Sequence, residues 1–185
     1  MSEEPPLIRP PAIFSPQAGR RTHGDEHPPR VLLPAARVAI FGIGNVLLGD
    51  DGVGPAAARY IETHFDLGDD VIVEDLGTPS LSLPGYLTGL DKVIFIDAVA
   101  SDQPPGTILQ FTRDEIMAVQ PGIRISPHEP SINDALILLD FAGTGPRDVT
   151  LIGVVPETLE GGLQLSERVA AAVPKAAAAA TLLVA

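Results

Sequence analysis

The 185-residue chain contains no cysteine and no tryptophan, and it has 12 lysine and arginine residues but 24 aspartate and glutamate residues. Without cysteine it can form no disulfide, bind no metal through thiolate and use no cysteine nucleophile. The net charge of -12 argues against a nucleic-acid partner, because phosphate binding requires clustered positive charge. No stretch approaches the roughly 18 apolar residues of a membrane span, and no signal-peptide pattern is found. We therefore expect a cytoplasmic protein without membrane insertion.

Residues 1–36 differ in composition from the rest of the chain. They contain 8 of the 19 prolines, and their acidic and basic side chains balance, so that residues 37–185 carry the whole charge of -12. This composition predicts a flexible, proline-rich N-terminal tail over 1–36. The remaining residues, 37–185, are long enough to bury a core and predict a single domain.

Short apolar segments alternate with helical patterns from residue 37 onward. The apolar segments predict strands at 37–43, 71–76, 92–97, 107–112 and 149–155. The fourth follows its preceding turn too closely for a crossover, so we expect it to be an antiparallel edge. Amphipathic patterns predict helices at 52–65, 79–90, 131–141 and 166–185, the last bent or broken near Pro174. The alternation predicts an α/β sandwich around a mostly parallel sheet, in which ligands bind outside the carboxyl ends of the strands.

A glycine-rich segment at 42–54 follows the first predicted strand and contains Asp50 and Asp51. It is not a dinucleotide-binding fingerprint, because Leu47 stands where the third glycine is needed and the two carboxylates would oppose a pyrophosphate. Two interpretations remain. The turn presents the two acids at a helix N-terminus, whose dipole favours them, or Asp50 caps the helix and Asp51 is a solvated acid of its first turn.

Two further aspartates follow the second and third predicted strands. Asp97 directly follows the apolar residues 93–96, so it must be hydrogen-bonded by loop amides or have a function. Asp75 has Gly77 behind it, and a turn there would satisfy its carboxylate. We therefore expect Asp97 to be functional and Asp75 to be structural.

His128 lies in a proline-bracketed loop before the helix predicted at 131–141. Asp51, Asp97 and His128 together form an oxygen and nitrogen donor set, which suits a divalent cation such as nickel or zinc with open positions for a substrate. A second chemistry needs no metal, with Asp51 and Asp97 acting as an acid/base pair. The residues alone do not choose between the two.

From about Arg37 onward the chain resembles the hydrogenase maturation proteases, endopeptidases that trim the large subunit of nickel-iron hydrogenases. Five motifs occur in the order typical of that family, and ordered motifs are far more specific than a single one. They are the segment 42–54, Asp75-Leu-Gly-Thr78, Ile96-Asp-Ala98, Ser126-Pro-His128 with Ile132 and Asp134, and Gly153-Val-Val-Pro-Glu157.

The resemblance implies a three-layer sandwich in which helices flank a twisted, five-stranded, mostly parallel (mixed) sheet. It implies that Asp51, Asp97 and His128 are both metal-contacting and catalytic. The implied activity is removal of the C-terminal peptide from a nickel-iron hydrogenase large-subunit precursor after nickel insertion, by an endopeptidase of aspartic or metal-dependent type. The nickel would belong to the precursor. The alternative is a non-catalytic metal- or hydrogenase-binding chaperone on the same fold. Asp51 departs from the glutamate that many members have at this position.

Overall fold

The computed structural model describes residues 37–118 and 132–184. The tail predicted at 1–36 and the loop that carries His128 lie outside these ranges. The described strands are β1 (Val38–Ile43), β2 (Val71–Gly77), β3 (Lys92–Ala98), β4 (Ile108–Thr112) and β5 (Asp148–Val154). The described α-helices are α1 (Val53–His64), α2 (Leu83–Leu87), α3 (Arg113–Ala118), α4 (Ile132–Ala142) and α5 (Glu167–Leu182), and short 3-10 turns occupy Gly49–Gly52 and Ser80–Ser82.

The strands form one mixed sheet in the order β2-β1-β3-β5-β4. All neighbours are parallel except β4, which pairs antiparallel with β5, as the short connection before it predicted. From β1 the chain passes to β2 on one side and later to β3 on the other. The strand order therefore reverses between β1 and β3, and this switch point is where an open α/β sheet binds its ligand.

Both faces of the sheet are covered by helices, which confirms the predicted three-layer arrangement. Consecutive residues of a strand point to opposite faces, and in β1 the buried Ile40 belongs to one core whereas the buried Phe41 belongs to the other. The first core is completed by α1 and α5, and the second by α2, α3 and α4. No described helix has both the length and the apolar character needed to cross a bilayer.

Three helices differ from the sequence prediction. The helix predicted at 79–90 is only α2, five residues long and preceded by a 3-10 turn. The short helix α3 was not predicted at all. The last helix, α5, runs through Pro174 as one element, so of the predicted bend or break the break is absent. It begins where Ser166 accepts a hydrogen bond from the N–H of Val169, and its small buried alanines allow close packing on the sheet.

Candidate functional site

Two glycines bring the start of α1 against the carboxyl ends of the central strands. A Cβ atom on Gly54 would lie 2.2 Å from the carbonyl oxygen of Ile43, at the end of β1, and 2.3 Å from that of Ile96, in β3. A Cβ on Gly42 would in turn lie 2.3 Å from the carbonyl oxygen of Gly54. The absence of side chains at these positions therefore places the 3-10 turn before α1 in contact with β3. The sequence pattern placed this close approach at position 47, which is a leucine, whereas the glycine that permits it is Gly54; a glycine in the first turn of a helix was the available signal.

Asp51 is buried at this edge, 1% exposed, in the 3-10 turn Gly49–Gly52. Its Oδ2 atom accepts a hydrogen bond of 2.7 Å from the backbone N–H of Asn45, in the loop that leaves β1. The Oδ1 atom of Asn45 accepts in turn from the N–H of Leu47 at 3.0 Å. The glycine-rich loop is thus folded around the Asp51 carboxylate. The alternative of a solvated first-turn acid is wrong.

Asp97 is fully buried near the end of β3. Its Oδ1 atom accepts a hydrogen bond of 2.8 Å from the N–H of Ala98. The residue that faces it in β5 is Gly153. Because β1 and β3 are adjacent and parallel, Asp97 and the Asp51 turn lie at the same edge of the sheet, on the two sides of the switch point.

Asp75, near the end of β2, is exposed, and its carboxylate stabilises the turn that follows it. Its Oδ1 atom accepts from the N–H of Gly77 at 2.9 Å, and its Oδ2 atom lies 3.8 Å from Nη1 of Arg59. The predicted satisfaction of Asp75 by a glycine turn is therefore confirmed.

Asp50 forms a buried clamp that the sequence did not reveal. Its Oδ2 atom accepts the N–H groups of Glu157 and Thr158 at 2.8 and 3.1 Å, and its Oδ1 atom accepts that of Ser166 at 2.6 Å. No side-chain capping bond forms at the start of the 3-10 turn or of α1, so the interpretation of Asp50 as a helix cap is wrong. Instead, its carboxylate ties the Asp51 turn to the loop between β5 and α5. The partners lie 107 to 116 positions away along the chain, which hides them from local patterns.

The described residues supply two of the three predicted metal-contacting side chains. Asp51 and Asp97 are buried carboxylates on two elements that meet at the switch point, whereas His128 lies outside the described ranges. Within those ranges, no three histidine, aspartate or glutamate side chains are grouped so as to hold a metal ion. The three-residue set therefore stays a prediction. Two such carboxylates suit either oxygen ligation of a divalent cation or general acid/base chemistry.

The fold and the site define an α/β protein with buried carboxylates at its topological switch point. A family model described as HycI, hydrogenase maturation protease, matches residues 55–182. The chain belongs to the hydrogenase maturation protease family, which the five motifs had indicated. It is accordingly a hydrolase, an endopeptidase.

Similar proteins and structures support this membership. The chain is 35% identical over 141 residues to the hydrogenase 2 maturation protease of Escherichia coli strain K12, which covers 76% of this chain and 85% of that protein. It is 34% identical over 127 residues to the hydrogenase expression/formation protein HupD of Rhizobium leguminosarum bv. viciae. This match covers 69% of this chain and 63% of that protein. The solved structure of the hydrogenase maturating endopeptidase HybD from E. coli has a TM-score of 0.71 at 34% identity, over 77% of this chain and 88% of that one. The solved structure of the nickel-iron hydrogenase maturation protease HybD from Thermococcus kodakarensis has a TM-score of 0.66 at 30% identity, over 80% of this chain and 99% of that one.

Proposed function

We propose that this endopeptidase removes the C-terminal peptide of a nickel-iron hydrogenase large-subunit precursor after nickel has been inserted. The observation that supports this most is the burial of Asp51 and Asp97 at the switch point, on two different elements. Burying two carboxylates costs free energy, and the fold does not need these two to be buried. Their burial at the expected ligand site therefore favours a role in chemistry.

The proposed chemistry divides between the chain and its substrate. One carboxylate of the pair takes a proton from the attacking water. The nickel ion of the precursor polarises the scissile carbonyl, and Asp51, Asp97 and His128 hold or sense that ion. Because both described carboxylates are almost completely removed from solvent, charges brought beside them interact more strongly than in water. If the ion serves only for recognition, Asp51 and Asp97 instead act as an acid/base pair.

The alternative of a non-catalytic chaperone gains no support from the relatives, several of which are named as proteases or endopeptidases. Three further expectations stay predictions: a separate tail at 1–36, a single protease domain at 37–185, and a cytoplasmic location.

The test incubates the purified full chain with nickel-loaded precursor and detects the released C-terminal peptide by mass spectrometry. We expect cleavage by the wild type and a loss of at least about 100-fold in Asp97→Asn, since general acid/base groups contribute about that much. Asp148→Asn is the matched control, because Asp148 begins β5 at the opposite edge of the sheet and is half exposed beside Lys92. Nickel-free precursor should remain uncut. Processing at the wild-type rate by His128→Ala would contradict the assignment of His128.

A further inference from the structure

Five large apolar side chains are exposed beside the Asp51 turn. Three precede the turn and two belong to the loop between β5 and α5; they are Val46, Leu47, Leu48, Leu159 and Leu163, here named the apolar rim. Leu47 is 59% exposed and Leu163 is 79% exposed. Along residues 46–51 the side chains change abruptly from exposed to buried, since Asp50 and Asp51, which follow Leu48, are almost fully buried.

The backbone beneath the apolar rim is ordered by hydrogen bonds between its two segments. Leu48 and Gly162 form a parallel bridge. The N–H of Gly162 donates to the carbonyl oxygen of Leu47 at 3.0 Å, and the N–H of Gly49 donates to that of Gly162 at 2.9 Å. The Asp50 clamp adds three more bonds between the same two segments of the chain. The two segments that carry the exposed apolar side chains are therefore held side by side, and a cluster of exposed apolar side chains marks an interaction site.

The position of the apolar rim indicates its occupant. Leu48 precedes Asp51 by three residues, and Val46 lies against Gly52, whose Cβ would be 3.3 Å from the Cα of Val46. The rim is thus continuous with the place where the scissile bond of a substrate must lie. An endopeptidase has to hold the polypeptide next to the bond that it cuts, and an apolar surface there binds apolar side chains of that polypeptide.

We propose that the apolar rim binds an apolar segment of the hydrogenase large-subunit precursor next to the bond that is cleaved. This inference rests on the proposed function and adds the chemistry by which the substrate peptide is recognised. Leu47 and Leu163 contribute most of the contact because they are the most exposed members of the two segments.

The experiment measures kcat and KM of the full chain on nickel-loaded precursor for the wild type, Leu47→Ser, Leu163→Ser and the double variant. We expect kcat/KM to fall about tenfold for each single change, mainly through KM, since the lost contact is made with substrate and transition state alike. Leu182→Ser is the matched control: Leu182 is 80% exposed, but it ends α5, far along the helix from the Asp50 clamp. All of these variants should unfold at the wild-type temperature because the side chains are exposed.

The possible failures are distinguishable. Absence of cleavage by the wild type overturns the proposed function. Calorimetric titration of the precursor into wild type and double variant then tests the apolar rim alone, and equal affinities overturn it. Wild-type cleavage with unchanged KM in the double variant overturns the inference and leaves the function standing. A wild-type dimer that dissociates in Leu163→Ser would show that a second copy of the chain occupies the rim, which also overturns the inference.

Discussion

The substitution Gly54→Ala tests whether close helix–strand packing positions the proposed reaction site at Asp51 and Asp97. The added Cβ would lie 2.2 Å from the carbonyl oxygen of Ile43, 2.3 Å from that of Ile96 and 2.7 Å from the backbone nitrogen of Ile43. All three are backbone atoms, so no side-chain rotation can relieve the overlap. The start of α1 must instead withdraw from the sheet by about 1 Å to restore ordinary contact.

The expected loss of stability is large for so small a change. Overpacking of one methyl group costs about 1–3 kcal/mol, and the upper end applies where only backbone can move. In a protein of this size about 3 kcal/mol lowers the melting temperature by about 6–12 °C. The same withdrawal carries the Asp51 turn away from Asp97. A displacement of about 1 Å costs about 100-fold in rate where catalytic groups must be aligned.

Thermal unfolding by circular dichroism and precursor cleavage well below the melting temperature measure the two effects separately. Gly85→Ala is the control, since Gly85 lies inside α2 and the added Cβ would have no atom within 4 Å apart from its chain neighbours and the backbone of its own helix. Alanine is favoured over glycine in a helix, so this variant should equal or exceed the wild type in stability by up to about 1 kcal/mol. If Gly54→Ala melted and cleaved like Gly85→Ala, the reasoning from close packing would be refuted.

Two further predictions concern carboxylates other than the proposed catalytic pair, Asp51 and Asp97. Asp50→Asn should lower the free energy of unfolding by about 2–3 kcal/mol in urea titrations, because an amide NH₂ then faces backbone donors of the clamp; a loss below about 0.5 kcal/mol would contradict the clamp. The backbone N–H and the hydroxyl of Thr112 hold the pKa of Glu115 below its ordinary value of 4.5. Its contribution to stability is therefore complete above that value and is lost as pH falls through the folded-state pKa. Glu115→Gln should melt below the wild type at pH 6, with a gap that narrows at pH 3; a constant gap would exclude this linkage.

The sheet could be predicted from the sequence because its strands carry their signal locally. Residues 93–96 of β3 form an unbroken apolar run, as is typical of a strand buried on both faces, and the short turn before β4 already excluded a parallel crossover. The helices were harder to predict from the sequence. Pro84 and Gly85 shorten α2, α3 spans only six residues, and packing of α5 holds a helix through Pro174 that its intrinsic preference would interrupt.

At the site, the sequence indicated which carboxylates lie at the strand ends but not all of their roles. Asp97 and Asp51 follow from strand order, because the carboxyl ends of β1 and β3 meet at the switch point. The contrast between the adjacent Asp50 and Asp51 could not be foreseen. One accepts amides from the far end of the chain and the other accepts an amide six residues away, and only the three-dimensional arrangement separates them.

The place of β5 in the sheet has a consequence for a chain still being synthesised. In the part of the chain that the structure describes, β4 pairs only with β5, and β5 also covers the outer flank of β3. A nascent chain that ends before residue 148 therefore leaves β4 without a partner strand and one edge of β3 unpaired, and unpaired strand edges are sites of aggregation. The amides that clamp Asp50 are translated later still, from Glu157 to Ser166. The clamp that ties the Asp51 turn to the loop between β5 and α5 is therefore complete only after Ser166 has been translated.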